Sequence, residues 1–274
     1  MRSIVHLSDI HFGRIHLLVV EPLIAAINKL APDLVTVSGD LTQRARSRQF
    51  REARAFLDRL PKPQIVVPGN HDVPLYNVFA RFINPLRKYQ RYISDDLRPF
   101  YHDEEMVVLG VNTARSLTIK GGRINQDQVA WMREKLCAWD EKIVKIVVTH
   151  HPFDLPEGHH ERDLVGRALM AIEGLASCGA DMFLAGHLHV SHTAHTAVRY
   201  KIEGYSALVV QAGTATSSRG RGEANSFNLI RIAHPQITVQ RFEWQPERTE
   251  FILAQTDNFR HTEDGWTRPT ESQT

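Results

Sequence analysis

Only two cysteines, Cys137 and Cys178, occur in the 274 residues, too few for a disulfide-stapled scaffold or a thiolate-only zinc site. Both sit inside helical patterns, where a thiol normally behaves as a small buried hydrophobe. A reducing cytoplasm is therefore the expected location. Long apolar runs are also missing: none approaches the ~20 residues that a spanning helix needs. Residues 1–7 enter a strand pattern at once, so no secretory leader is expected. Nor does charge of one sign dominate. The 33 Lys+Arg against 31 Asp+Glu leave a net charge of +2, well short of an extended basic surface for nucleic acid. No internal repeat or low-complexity segment is present. What remains, 42% hydrophobic and 23% charged residues, is the composition of an ordinary globular chain.

Strand-length apolar runs alternate with amphipathic stretches. Strands are expected at 3–7, 34–38, 64–67, 106–112, 144–149 and 182–185, with helices at 21–30, 47–60, 126–139 and 162–178. After Gly186 the pattern changes: 193–200, 207–212, 227–232 and 237–242 read as strands with no helix between them, a β meander completing a second sheet. Residues 1–255 are expected to form one domain, and 256–274 a polar, fraying C-terminal tail. Within the domain, 73–100 is read as an insertion containing a helical pair packed on the flank, or alternatively a substrate-facing cap.

Five short polar blocks follow the ends of expected strands: Asp9-Ile10-His11, Gly39-Asp40, Gly69-Asn70-His71-Asp72, His150-His151-Pro152 and Gly186-His187-Leu188-His189. Loops at that edge of an α/β sheet converge on one crevice. The residue types are hard carboxylate and amide oxygens plus imidazoles, which suit two adjacent divalent cations. Alone, Gly39-Asp40 is an ordinary turn and a single histidine an ordinary core residue. The ordered set is what carries the chemistry. Gly39, Gly69 and Gly186 are expected to let the backbone turn sharply before each ligand.

Taken together, the blocks resemble the calcineurin-like metallophosphoesterase superfamily over about the first two-thirds of the chain, and most nearly its class III cyclic-nucleotide phosphodiesterase branch. The resemblance implies an α/β fold, a four-layer β-sandwich of two mixed sheets flanked by helices. It implies one metal on Asp9, His11, Asp40 and His189, and a second on Asp40, Asn70, His150 and His187, with Asp40 bridging. His71 would contact substrate, and His151 would lie behind the ligands or near substrate. The cations implied are Mn, Fe, Zn or Co, sharing a hydroxide whose pKa they depress for attack on phosphorus.

The substrate expected is a small-molecule phosphodiester, 3',5'-cyclic nucleotides among them. Protein phosphatases of the superfamily carry an Asp that braces the catalytic His, and Gln43 stands in its place here. UDP-2,3-diacylglucosamine pyrophosphatases of the lipid A pathway have Arg where this chain has His71. That lipid-precursor activity and a DNA- or RNA-acting metallonuclease are the alternatives. A nuclease would require the arginines of 44–54 and 81–98 to face the metal edge. Arg219 and Arg221, in the hydroxyl-rich segment 213–221, are either phosphate contacts or part of a solvated turn. No catalytic role is expected for His6, His159, His160, His192 or His195.

Overall fold

The computed structural model describes residues 1–269 apart from 76, 119 and 219–221. Its elements in chain order are β1 (Arg2–Leu7), α1 (Leu17–Leu30), β2 (Leu34–Ser38), α2 (Ser47–Leu57), β3 (Gln64–Val67), α3 (Val78–Ile83), α4 (Arg87–Tyr92), β4 (Phe100–His102), β5 (Met106–Gly110), α5 (Gln126–Leu136), β6 (Val144–Val148), α6 (Ala168–Ala176), β7 (Met182–Ala185), β8 (His192–His195), α7 (Thr196–Arg199), β9 (Leu208–Gln211), β10 (Ser226–Ala233), β11 (Gln236–Gln245), β12 (Glu250–Thr262) and β13 (Gly265–Thr267). They build a seven-stranded sheet, β13-β12-β11-β10-β1-β2-β3, and a six-stranded sheet, β4-β5-β6-β7-β9-β8. β1, β2 and β3 run parallel at one end of the first sheet, and β5, β6, β7 and β9 run parallel through the middle of the second.

The alternation of side chains along a strand explains the layering. Ile4, Leu34 and Ile65 of the first sheet meet Val108, Ile146, Leu184 and Val210 of the second in one core. Their strand neighbours Val5, Leu7, Val35 and Val37 point the other way, onto Leu23 and Ile27 of α1 and Phe50 and Leu57 of α2. Behind the second sheet, Val107, Leu109, Val147 and Phe183 pack on Met132 of α5 and Ile172 of α6. Strands buried on both faces read as continuous apolar runs, which is why these were legible. The result is two mixed sheets flanked by helices, as expected. No described helix is long and apolar enough to cross a membrane.

Three expectations need correction. First, 193–200 is not one strand: β8 ends at His195 and a single helical turn, α7, follows. Tertiary anchors override the local pattern there, since Arg199 pairs with Asp154 at 2.6 Å and the Tyr200 hydroxyl donates to the Phe153 carbonyl. Moreover, only β8 and β9 join the second sheet. β10 pairs antiparallel with β1, so β10–β13 extend the first. A period-two pattern states which face is apolar, but not which edge the strand joins.

Second, the boundary near Gln255 falls inside β12, and β13 follows it. The stretch looks polar because only alternate positions are buried. Phe259 and Trp266 are in the core, and the Trp266 indole donates to Asp181 at 2.7 Å. Third, Cys137 and Cys178 form a disulfide, because the adjacent helices α5 and α6 end side by side. The inference of a reducing compartment, which rested on two separate thiols, loses that support. The bridge lines a cavity of about 640 Å³, with Lys145, Asp181 and Trp266 also in its wall. That cavity opens at the start of β6 and β7, the edge opposite the five blocks.

The 73–100 segment does hold two short helices. Tyr89 of α4 is fully buried and its hydroxyl donates to the Val66 carbonyl at 2.8 Å. Tyr92 stacks on Phe50 of α2. In α3, by contrast, Phe79, Phe82 and Ile83 are exposed.

Candidate metal centre

Each polar block follows a parallel strand, at the ends of β1, β2, β3, β6 and β7, and the five loops meet at one point. The backbone there is bent into the left-handed region at non-glycine residues: Asp9 (φ 52°), His11 (54°), Asp40 (53°), His187 (74°) and His189 (61°). Each such residue costs on the order of 1–3 kcal/mol and persists only where its surroundings over-determine it. Those surroundings are visible. Thr214 and Thr216 donate their hydroxyls to the carbonyls of Asp9 (2.7 Å) and Ile10 (2.6 Å). Asp72, wholly buried, accepts from the backbone N–H of Gly69 (2.9 Å), Leu41 (3.1 Å) and Thr42 (2.9 Å), and from the Thr42 hydroxyl (3.0 Å). Asp72 thus clamps the loop after β2 to the loop after β3. Asp72→Ala would strand three buried N–H groups and should lower stability by about 3–5 kcal/mol. Urea denaturation checks this, and a loss under about 1 kcal/mol would show that Asp72 is not the clamp.

Of the three glycines expected to relieve strain, only Gly39 (φ 87°) has a positive φ. Gly69 and Gly186 are needed for space instead: a Cβ on Gly69 would overlap the Asp40 carboxylate, and one on Gly186 the Ser8 hydroxyl.

Within this frame the predicted residues form two triangles of ligand atoms. In the first, Asp9 Oδ1 lies 3.4 Å from His11 Nε2 and 3.4 Å from His189 Nε2, and those two nitrogens are 3.3 Å apart. In the second, Asn70 Oδ1 lies 3.1 Å from both His150 Nε2 and His187 Nδ1, which are 3.3 Å apart. Asp40 stands between them, Oδ2 3.6 Å from His11 Nε2 and Oδ1 3.5 Å from His150 Nε2. Atoms each ~2.1 Å from a common cation lie about 3.0–3.4 Å apart, so both triangles fit a bound metal.

Other observations support the fit. Asp9 Oδ2 is held by the Ser8 hydroxyl (2.7 Å) and the His187 N–H (2.9 Å). Oδ1, fully buried, has no hydrogen-bond donor. The His150 Nδ1–H donates to the Ser38 carbonyl at 2.7 Å, which leaves the lone pair of Nε2 facing its neighbours. Charge is arranged to match. Burial alone would raise the carboxyls of Asp9 and Asp40, yet His189 and His11 beside Asp9, and His150 and His11 beside Asp40, hold both below the ordinary range. Burial and the nearby His150 push His187 down to about 3, so its imidazole is neutral.

His71 and His151 also bring a ring nitrogen within 4.8 Å of ligand atoms, His71 beside His11 and Asp40 and His151 beside His150 and His187, but other hydrogen bonds engage them. His71 donates Nδ1–H to the Gln43 carbonyl at 2.9 Å, and its Nε2 is 4.0 Å from Asp40 Oδ2. The position that departs from the protein-phosphatase pattern therefore still braces this ring, through its main chain. His151 is engaged at both nitrogens: Nε2–H donates to the Lys120 carbonyl (2.8 Å), and the Thr113 hydroxyl donates to Nδ1 (2.7 Å). Its ring sits 4.6 Å from that of His187, behind the second triangle. His6, buried in β1, bonds Ser38 Oγ at 2.9 Å and is driven by burial to about 3. His6, His159, His160, His192 and His195 join none of the clusters of potential ligand atoms among the described residues.

Sequence reasoning missed Ser8, Thr113, Thr214 and Thr216. Of these, Thr214 and Thr216 lay in the hydroxyl-rich segment already singled out, but they fasten the loop after β1. Arg219 and Arg221 lie outside the described residues.

Comparison with known proteins agrees with this geometry. A glycerophosphodiester phosphodiesterase, GpdQ, of Enterobacter lignolyticus is 28% identical over 145 residues, covering 52% of this chain and 50% of that protein. A probable cyclic nucleotide phosphodiesterase of Synechococcus sp. is 24% identical over 161 residues, 55% of this chain and 58% of that one. The match thus spans about half the length of these curated relatives. Among solved structures, the purple acid phosphatase PPD1 of yellow lupin (Lupinus luteus) shares the fold, with a TM-score of 0.70 at 12% identity over 99% of this chain and 57% of that chain. The model of the calcineurin-like phosphoesterase family matches residues 2–191. The chain belongs to the calcineurin-like phosphoesterase family.

Proposed function

We propose that this chain is a di-metal phosphodiesterase, with Asp9, His11, Asp40 and His189 holding one divalent cation and Asp40, Asn70, His150 and His187 the other. The carrying observation is the position of Asp40, one carboxylate oxygen turned toward each triangle of ligand atoms. When bound, a pair of Mn, Fe, Zn or Co ions supplies Lewis acidity toward the phosphate oxygens and lowers the pKa of water.

The chain's own groups do the rest. Neutral Asn70 limits the negative charge of the ligand set. His71, oriented by the Gln43 carbonyl, protonates the departing alkoxide through Nε2. The brace on this ring is a neutral carbonyl, where the protein-phosphatase pattern has a carboxylate. His151, locked between Thr113 and Lys120, positions the His187 ring and does not touch substrate.

Phosphodiesters are the substrate class this arrangement favours, with cyclic nucleotides and glycerophosphodiesters, the substrates named for its relatives, as the leading members. A diester carries one negative charge fewer than a monoester dianion, and its alkoxide leaving group needs the proton that His71 offers. The test is a panel with Mn²⁺: bis-p-nitrophenyl phosphate, p-nitrophenyl phosphate, cyclic AMP, a glycerophosphodiester and UDP-2,3-diacylglucosamine. Diesters should be hydrolysed faster than the monoester. Turnover of UDP-2,3-diacylglucosamine far above every simple diester would overturn the reading in favour of a lipid-precursor pyrophosphatase.

A further inference from the structure

Although the chain is nearly neutral, its cations are not evenly spread. The stretches 41–51, 73–94 and 111–126 hold eleven of the Lys and Arg residues and no Asp or Glu. They follow β2, β3 and β5 respectively, all at the edge where the ligand atoms gather. The same stretches carry the three most exposed large apolar side chains among the described residues, Leu117 (87%), Phe79 (81%) and Ile83 (81%). Phe82 is exposed too, and Phe79, Phe82 and Ile83 share one face of α3 by their i, i+3, i+4 spacing.

These stretches form one continuous surface. Arg81, buried on the inner side of α3, donates to the Pro74 carbonyl (3.0 Å), the Ser116 carbonyl (2.6 Å) and the Thr118 carbonyl, tying the helix to the loop that bears Leu117. Lys88 donates to the Ala45 carbonyl at 2.9 Å and ties α4 to 41–51. Between them lies a cavity of about 520 Å³ lined by Ser47, Phe79, Ile83, Arg87, Arg91 and Tyr92. The surface adjoins the metal centre, since the Gln43 and Lys120 carbonyls within it hold His71 and His151.

An apolar ridge set in a field of cations matches one kind of partner. A second copy of the same face would bring like charges together. Nucleic acid would meet the cations but gain nothing from exposed Ile83 and Leu117. A helix with an apolar face and flanking Arg and Lys instead suits the headgroup boundary of an anionic membrane, where apolar burial and electrostatic attraction add. We propose that this surface docks on an anionic lipid bilayer, with Phe79, Phe82, Ile83 and Leu117 entering the headgroup boundary and the surrounding Arg and Lys meeting anionic headgroups. The active edge then faces the membrane. The proposal goes beyond the catalytic reading and is tested without an activity assay.

The experiment is flotation of the full chain with vesicles of phosphatidylcholine alone, and of phosphatidylcholine with about one-third phosphatidylglycerol. The protein should float with the anionic vesicles only. The double variants F79S/I83S and R87E/R91E, all at exposed positions, should each reduce partitioning at least ~10-fold while keeping the parent's unfolding midpoint. Failure of the parent to float with either vesicle would overturn the proposal. Undiminished flotation of F79S/I83S would do the same. A DNA oligonucleotide bound by the parent and by F79S/I83S but lost by R87E/R91E would reassign the cations to nucleic acid. A dimer in sedimentation that F79S/I83S dissociates would instead assign the ridge to a second copy of the chain.

Discussion

Asp40→Ala should abolish diester hydrolysis and strip most of the metal from both positions of the centre. The expectation follows from geometry: Asp40 places one carboxylate oxygen 3.6 Å from a nitrogen of the first triangle and the other 3.5 Å from a nitrogen of the second. In the proposed centre, removing it would take a ligand from each cation at once, together with the negative charge that offsets their mutual repulsion. Its Oδ1 also accepts the His71 N–H at 2.8 Å, so the loop after β3 loses an anchor too. Asn70→Ala is the matched comparison, because Asn70 Oδ1 stands in the second triangle, 3.1 Å from both His150 and His187. That variant should lose metal mainly from the second position. Elemental analysis of both proteins, beside the rate with bis-p-nitrophenyl phosphate, decides the matter. An Asp40→Ala protein retaining both metals would remove Asp40 from the bridging role.

For His71→Ala the expected result is different in kind: kcat should fall roughly 10²–10⁴-fold while bound metal stays unchanged. His71 Nδ1 is committed to the Gln43 carbonyl, and its Nε2 is 4.0 Å from Asp40, outside both triangles. In the proposed mechanism its use is at the leaving group. The loss should therefore be larger for a poor alkoxide leaver such as the ribose oxygen of cyclic AMP than for p-nitrophenolate, which needs little protonation. Loss of metal in this variant would show that a ligand had been mistaken for an acid. Equal losses across leaving groups would point to charge stabilisation rather than proton transfer.

Much of the site was legible because its signals are local. Asp9, Asp40, Asn70, His150, His187 and His189 each follow a short apolar run, and strands buried on both faces announce themselves in that way. Knowing the strands placed the loops on one edge, and the residue types then named the chemistry. The helical pair of 73–100 was readable for a similar reason. Its division of labour was not: the polar α4 buries the Tyr89 ring, while the apolar α3 exposes Phe79, Phe82 and Ile83.

By itself, then, the sequence determined the residue types of the centre, the strands that carry them and the two-sheet, helix-flanked class of fold. Tertiary structure alone decided that β10–β13 extend the first sheet. An alternating pattern marks an apolar face, and the choice of edge depends on partners far away in the chain. It also decided that β12 runs on past Gln255 and β13 follows it, packed around Phe259 and Trp266, and that Cys137 meets Cys178 where two helices end together. Which nitrogen each imidazole presents was likewise set by tertiary contacts, because hydrogen bonds such as that from His150 to the Ser38 carbonyl join residues more than a hundred positions apart. The same holds for Asp40, whose two oxygens part toward different triangles only once five loops have been brought to one point. Local preference writes the parts of this site, and long-range packing sets their distances.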